Sequence, residues 1–233
     1  METQPAVTTR PLIIAHRGFS GRYPENTLAS VRAAIQLGVE FVEIDVQETA
    51  DGELIVFHDY GLRRLCGVRG RVREKTLADI RRLNPQVPTL QQVLQMCRGK
   101  ARVLIEIKRA DPREVAAVVG ETRMEREVIV FSLSIRRMKE FAAVNPQIPR
   151  FGLVARRLPL AMARLKAVGI QGIGLSRRLV RSERVVRRIH KRGWKLFVWT
   201  VNRATEMKKL AGWGVDGLIT NYPDVAKSCL AER

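Results

Sequence analysis

Short apolar, β-rich runs alternate with segments of helical period along the whole chain. The runs fall near residues 12–17, 41–46, 102–108, 127–132, 150–155, 171–175, 194–200 and 216–220. Helix-period segments come between them, near 26–37, 89–98, 111–123, 134–144, 158–168, 182–192 and 203–212, with a last one from 223. In 182–192, Val185, Val186 and Ile189 make an apolar side, while Arg184, Arg187, Arg188, Lys191 and Arg192 face outward as a solvated surface. A repeated βα unit predicts a parallel sheet, because parallel neighbours need a crossover that a helix supplies. Eight such units in 233 residues predict closure into a single (β/α)8 TIM barrel of the α/β class.

One segment breaks the alternation. Residues 46–58 read as a hairpin turning at Asp51-Gly52, and a turn centred between those two residues sets Asp45 opposite His58. Residues 59–88, rich in Gly and Arg, then form a small insertion before the second helix. Residues 1–10 read as an N-terminal tail and 11–233 as one barrel domain, with no linker, repeat or low-complexity tract to mark another.

Composition adds exclusions. No stretch approaches the roughly 18 to 20 uninterrupted apolar residues that a spanning helix requires. Met-Glu-Thr-Gln-Pro at the start has neither the basic nor the apolar region of an export signal, so a soluble, cytoplasmic protein is expected. Cys66, Cys97 and Cys229 are odd in number and widely spaced, which suits reduced thiols rather than a zinc site. The net charge is +19, unevenly spread: residues 1–60 hold 4 of the 42 Lys/Arg and 9 of the 23 Asp/Glu. The basic remainder suits anionic partners, although 32 Arg against 10 Lys is equally the mark of nucleotide-composition bias. No helix-turn-helix, zinc-finger or RNP signature occurs and aromatic content is 6%, so no specific nucleic-acid partner is expected. Gly18 and Gly21 are not followed by the Gly-Lys-Ser/Thr of a nucleotide-binding loop.

In a barrel, chemistry sits at the C-terminal ends of the strands. There the chain places His16-Arg17-Gly18, then Glu43 and Asp45, then Glu106 and Lys108. Residues two apart on a strand share a face, so Glu43 pairs with Asp45 and Glu106 with Lys108. Three carboxylates inside apolar runs are costly without a counter-charge, and an all-oxygen set suits one divalent cation, Mg²⁺ or Ca²⁺. Of three histidines, His16 and His58 end strands aimed at this place, while His190 lies on an outer helix as a structural residue.

The chain carries, in order, His-Arg-Gly (16–18), Pro-Glu-Asn-Thr (24–27), Glu-Ile-Asp-Val (43–46), Thr-Ala-Asp-Gly (49–52), Phe-His-Asp (57–59), Ile-Glu-Ile-Lys (105–108), Trp-Thr-Val-Asn (199–202) and Gly-Val-Asp-Gly-Leu-Ile-Thr-Asn-Tyr-Pro (214–223). In this ordered set it resembles the glycerophosphodiester phosphodiesterase family, of the phospholipase C-like phosphodiesterase superfamily. It implies metal-dependent hydrolysis of a glycerophosphodiester to an alcohol and glycerol 3-phosphate, within lipid metabolism. The metal would sit at Glu43, Asp45 and Glu106, with acid-base work at His16 and His58. Arg17 and Lys108 would bind phosphate and Trp199 would pack against glycerol. Glu25 and Asn26 match the motif as residues that order the site, and Asn26 equally suits the N-cap of the first helix. Asn221 stands where the family frequently has aspartate.

The shared motifs leave the substrate's head group open, either a soluble glycerophosphodiester or a lysolipid in a lysophospholipase D-type reaction. Arg156, Arg157, Arg177, Arg178 and Arg181 follow strands on the mouth side and suit peripheral contact with an anionic membrane. A non-catalytic basic barrel that binds membrane or nucleic acid is the competing class. It would tolerate a broken histidine pair or a lost carboxylate, and here every such position is intact.

Overall fold

The computed structural model describes residues 10–156 and 158–231, so all of the expected N-terminal tail except Arg10 lies outside the described residues. The elements run β1 (Leu12–His16), α1 (Leu28–Gln36), β2 (Phe41–Glu48), β3 (Leu54–Val56), α2 (Arg63–Cys66), α3 (Leu77–Leu83), α4 (Leu90–Cys97), β4 (Arg102–Arg109), α5 (Pro112–Glu121), β5 (Val128–Ser132) and α6 (Ile135–Val144). They continue with β6 (Arg150–Val154), α7 (Leu158–Lys166), β7 (Gly172–Ser176), α8 (Glu183–His190), β8 (Lys195–Trp199), α9 (Ala204–Gly212), β9 (Gly217–Thr220) and α10 (Pro223–Leu230). Eight of the strands pair in parallel in the order β1, β2, β4, β5, β6, β7, β8, β9, and β9 returns to β1. This is the closed (β/α)8 barrel, with β3 added antiparallel on β2. Among the described residues no helix is long and apolar enough to cross a membrane.

Side-chain alternation divides the core. One face of the strands fills the barrel with Ile14, Phe41, Leu104, Phe131, Phe151 and Phe197; the other meets the helices through residues such as Val42, Ile44, Val103 and Ile105. Helix starts follow local capping chemistry. Thr27 and Ser30 form a reciprocal capping box on α1, Thr89 with Gln92 does so on α4, and Asp111 caps α5 ahead of Pro112. The cap of α1 is therefore Thr27 rather than Asn26.

The hairpin register differs by one residue from the sequence expectation. Val46 pairs with Val56 and Glu48 with Leu54, and Phe57 N–H donates to Asp45 O, so Asp45 stands opposite Phe57 and not His58. The reason is the turn: Thr49 N–H reaches Glu53 O, leaving a three-residue loop whose last member, Gly52, takes φ +82°. Residues 59–88 are an ordered excursion with α2, α3 and a small core of their own, in which Phe57, Leu62, Val72 and Ile80 pack with Ile55.

Candidate active site

Strand register assembles the site. The β1–β2 pairing sets His16 beside Glu43, and the β2–β4 pairing sets Asp45 beside Glu106. Ligand oxygens of Glu43, Asp45 and Glu106 all lie within 4.8 Å of one another, and the residues are 2%, 1% and 9% exposed. Lys108 Nζ stands 3.6 Å from Asp45 Oδ1 and 3.5 Å from Glu106 Oε1. Arg17 donates its backbone N–H to Glu43 Oε2 at 2.9 Å, its Nε is 3.1 Å from Asp45 Oδ2, and its Nη1 donates to Glu25. The Arg17 Nε–H is not aligned on Asp45, so it remains a buried donor without a hydrogen-bond acceptor, as does Trp199 Nε1.

The turn after β1 is strained to make this possible. Arg17 has φ +55° and Gly18 φ +73°, a conformation that disfavours any side chain bearing a Cβ. A Cβ at Gly18 would stand 2.6 Å from the Ser30 carbonyl carbon, so only glycine lets the turn lie on α1, where Ser30 Oγ donates to Arg17 O. Asn26 also sits at φ +57° and reaches into the site, donating Nδ2 to Asp45 Oδ2 at 3.0 Å.

Electrostatics follow from crowding. Burial, and then the Asp45 charge, raises the Glu43 carboxyl well above its usual range and pushes Glu106 up to about 7. Burial works the same way on Asp45, but Arg17, Lys108, His58 and Asn26 outweigh it and hold that carboxyl low. The Lys108 ammonium is held above its usual range because Glu106 and Asp45 outweigh burial. Burial, reinforced by Arg17, takes His16 down to about 4. Its Nδ1 donates to Asn221 Oδ1 at 2.6 Å and Nε2 lies 3.9 Å from Glu43 Oε2. Asn221 is itself placed by donating its N–H to Asn202 Oδ1.

His58 is held otherwise. Its Nδ1 donates to Asp59 Oδ1 at 2.7 Å, and its charge acts on both Asp45 and His16. Arg64 on α2 donates to both Asp59 and Glu25, which ties the excursion to the β1–α1 loop. Gln47 Nε2, buried, donates to the carbonyls of Phe57 and Asp59. Nothing local in the sequence marks Arg64 or Gln47, because their partners lie on other elements. Trp199 ends β8 against the barrel interior. Of the rim arginines, Arg156, Arg178 and Arg181 are exposed, Arg177 pairs with Glu206 at 3.3 Å, and Arg157 lies outside the described residues. His190, on outer helix α8, pairs with Asp216.

Comparison with known proteins gives one answer. The profile of the Glycerophosphoryl diester phosphodiesterase family matches residues 16–225. A glycerophosphodiester phosphodiesterase of Bacillus subtilis is 33% identical over 93% of this chain and 85% of its own length. One from Caldanaerobacter subterraneus is 31% identical over 92% and 96%. The solved structure of an Oleispira antarctica phosphodiesterase in complex with the product sn-glycerol-3-phosphate superposes with a TM-score of 0.84 at 26% identity, over 96% of this chain and 98% of that one. A glycerophosphodiester phosphodiesterase from Agrobacterium tumefaciens gives 0.81 at 27%, over 94% and 99%.

Proposed function

The chain belongs to the glycerophosphoryl diester phosphodiesterase family, and from that premise we propose that it hydrolyses glycerophosphodiesters to an alcohol and glycerol 3-phosphate. In this reading Glu43, Asp45 and Glu106 hold one Mg²⁺ or Ca²⁺, and His16 and His58 move the protons. The carrying observation is the convergence of three buried carboxylates within 4.8 Å. The donor set fits such an ion: all ligands are hard oxygens, and the raised Glu43 and Glu106 carboxyls record burial and then the Asp45 charge, both of which a cation offsets. Charge balance agrees, since three carboxylates, Arg17, Lys108, one divalent ion and a monoanionic phosphodiester sum to zero. When bound, the ion supplies positive charge to the phosphate oxygens as the transition state forms.

The remaining work falls to the chain's own side chains. Arg17 Nε, buried without an aligned acceptor, is a donor for a phosphate oxygen, and Trp199 offers its ring and its unpaired N–H to the glycerol. Lys108 is a further cation beside the phosphate. His16 is neutral at pH 7 and keeps its Nδ1 proton on Asn221, so Nε2 presents a lone pair and takes the proton of the attacking hydroxyl, from water or from the substrate's glycerol. His58 has a carboxylate behind it that balances an imidazolium, and it delivers its proton to the leaving alkoxide.

The test is release of glycerol 3-phosphate from glycerophosphocholine and glycerophosphoglycerol by chelator-stripped protein, before and after Mg²⁺ or Ca²⁺ is added, beside His16→Ala and Glu43→Ala. Activity restored by metal in the parent alone is expected; activity that survives chelation or either substitution refutes the mechanism. The exposed Arg156, Arg178 and Arg181 extend the proposal to peripheral contact with an anionic bilayer, at about 1 kcal/mol per arginine. Co-sedimentation that does not respond to anionic lipid content removes that extension.

A further inference from the structure

Beside the mouth lies a second concavity, a cleft of about 760 Å³ between the β4–α5 connection, the length of α6 and the excursion. Five arginines line it, against the acids Glu48, Asp111 and Glu140. The acids are engaged: Glu48 accepts the Asp111 N–H, Asp111 accepts the Arg113 N–H as the cap of α5, and Glu140 pairs with Arg136 at 3.0 Å. That leaves the guanidinium groups of Arg73, Arg109, Arg113 and Arg137 without an ion pair among the described residues. Five guanidinium groups against three carboxylates leave a net charge of +2 around one concavity, and an anion with several oxygens is the ligand whose geometry and charge suit it.

Tyr60, which follows His58 by two residues and is 48% exposed, meets one cation of the cleft and one of the reaction centre. Arg109 Cζ, from the cleft lining, stands 4.8 Å from the centre of its ring, and Lys108 Nζ, beside Asp45 and Glu106, stands 5.8 Å from the same centre. An exposed aromatic ring beside a phosphodiester site would otherwise suit a quaternary ammonium. Here two cations of the chain already hold it, so a cationic head group meets repulsion where an anionic one meets arginines.

We propose that this cleft receives the leaving alcohol and selects glycerophosphodiesters whose alcohol carries a further phosphate or phosphodiester. The proposal rests on the phosphodiesterase reading. The bond broken is unchanged: one water is consumed, glycerol 3-phosphate leaves, and the alcohol departs with its own negative charge intact.

The experiment compares kcat/KM for three substrates that release glycerol 3-phosphate: bis(glycerophospho)glycerol, glycerophosphoglycerol and glycerophosphocholine, whose alcohols are anionic, neutral and cationic. The order expected is anionic over neutral over cationic, with steps of about tenfold, the worth of one charge-assisted contact. Arg113→Glu/Arg137→Glu collapses the first ratio through KM and not kcat, and Arg113→Gln/Arg137→Gln does so in part. Ratios near one in the parent, or ratios that both variants preserve, overturn the proposal while leaving the activity standing. No glycerol 3-phosphate from any of the three with either metal overturns the phosphodiesterase reading and this proposal with it.

Discussion

His16 and His58 approach the same carboxylates from unlike supports. His16 closes a strand paired on both sides, and the turn after it is pinned to α1 through Gly18 and Ser30. His58 stands beyond the three-residue strand β3, at the start of an excursion, and keeps its place through Gln47 and the Arg64 bridge from Asp59 to Glu25. Barrel register positions the first, and a side-chain network positions the second. Their partners differ in kind as well. Asn221 accepts a proton-bearing Nδ1 but brings no charge, whereas Asp59 brings a full negative charge that Arg64 holds well below the usual carboxylate range. An amide fixes a tautomer and a carboxylate also stabilises a cation, so the two surroundings fit the roles proposed above, base for His16 and acid for His58.

The most forceful way to break this comparison is to remove each ring. His16→Ala and His58→Ala should each lower kcat by about 10³-fold on glycerophosphoglycerol. They should part company on a glycerol phosphodiester of p-nitrophenol: that leaving group needs no proton, so activity returns to the His58 variant and not to the His16 variant. Equal rescue of both would undo the assignment of roles. Next in size, Asp59→Asn should reduce kcat by about 10²-fold, and Asn221→Ala by about tenfold because only orientation is lost. Steady-state rates at saturating substrate decide this, and a larger loss at Asn221 would invert the ranking.

Asn221→Asp sharpens the comparison through pH. A carboxylate at Nδ1 favours the imidazolium and raises His16 from about 4, so the acid limb of kcat/KM, which requires neutral His16, should move to higher pH. A pH–rate profile unchanged by this substitution would show that His16 is not the base.

The smallest effect concerns the carboxylates the two arms share. Burial and the Asp45 charge raise Glu106 from 4.5 to about 7 and Glu43 well above its usual range, so the folded chain keeps protons there that the unfolded one has released, while His16, lowered from 6.5 to about 4, opposes this below about 6.5. Stability of the metal-free protein should therefore fall as pH climbs from about 4.5 to about 7, less steeply below about 6.5 where His16 opposes the two carboxyls. Added Mg²⁺ or Ca²⁺, replacing those protons, should raise Tm more at about pH 8 than at about pH 5. Melting curves in which chelator makes no difference at either pH would argue against a metal on this trio.

Much of this was legible because it is local. The i, i+2 spacing of Glu43 with Asp45 and of Glu106 with Lys108 sets each pair on one face of a strand, whatever the rest of the chain does. The βα alternation predicted the barrel, and the barrel predicted where those faces meet. A side chain's partner is not local. The hairpin slipped by one residue because Gly52 closed a three-residue loop, which no apolar pattern records. Asn26 suited a helix cap as well as a site residue until Thr27 took the cap and left its amide to Asp45. Asn221 meets His16 across 205 residues only because β9 closes on β1, and Arg64 and Arg113 looked like any other arginine of a basic chain. The sequence by itself determined the elements, the fold and the residue types that carry chemistry, since backbone periodicity acts within a few residues. Tertiary structure alone decided which proton each histidine holds and which arginines remain without a counter-charge, since those depend on groups that only closure of the barrel brings together.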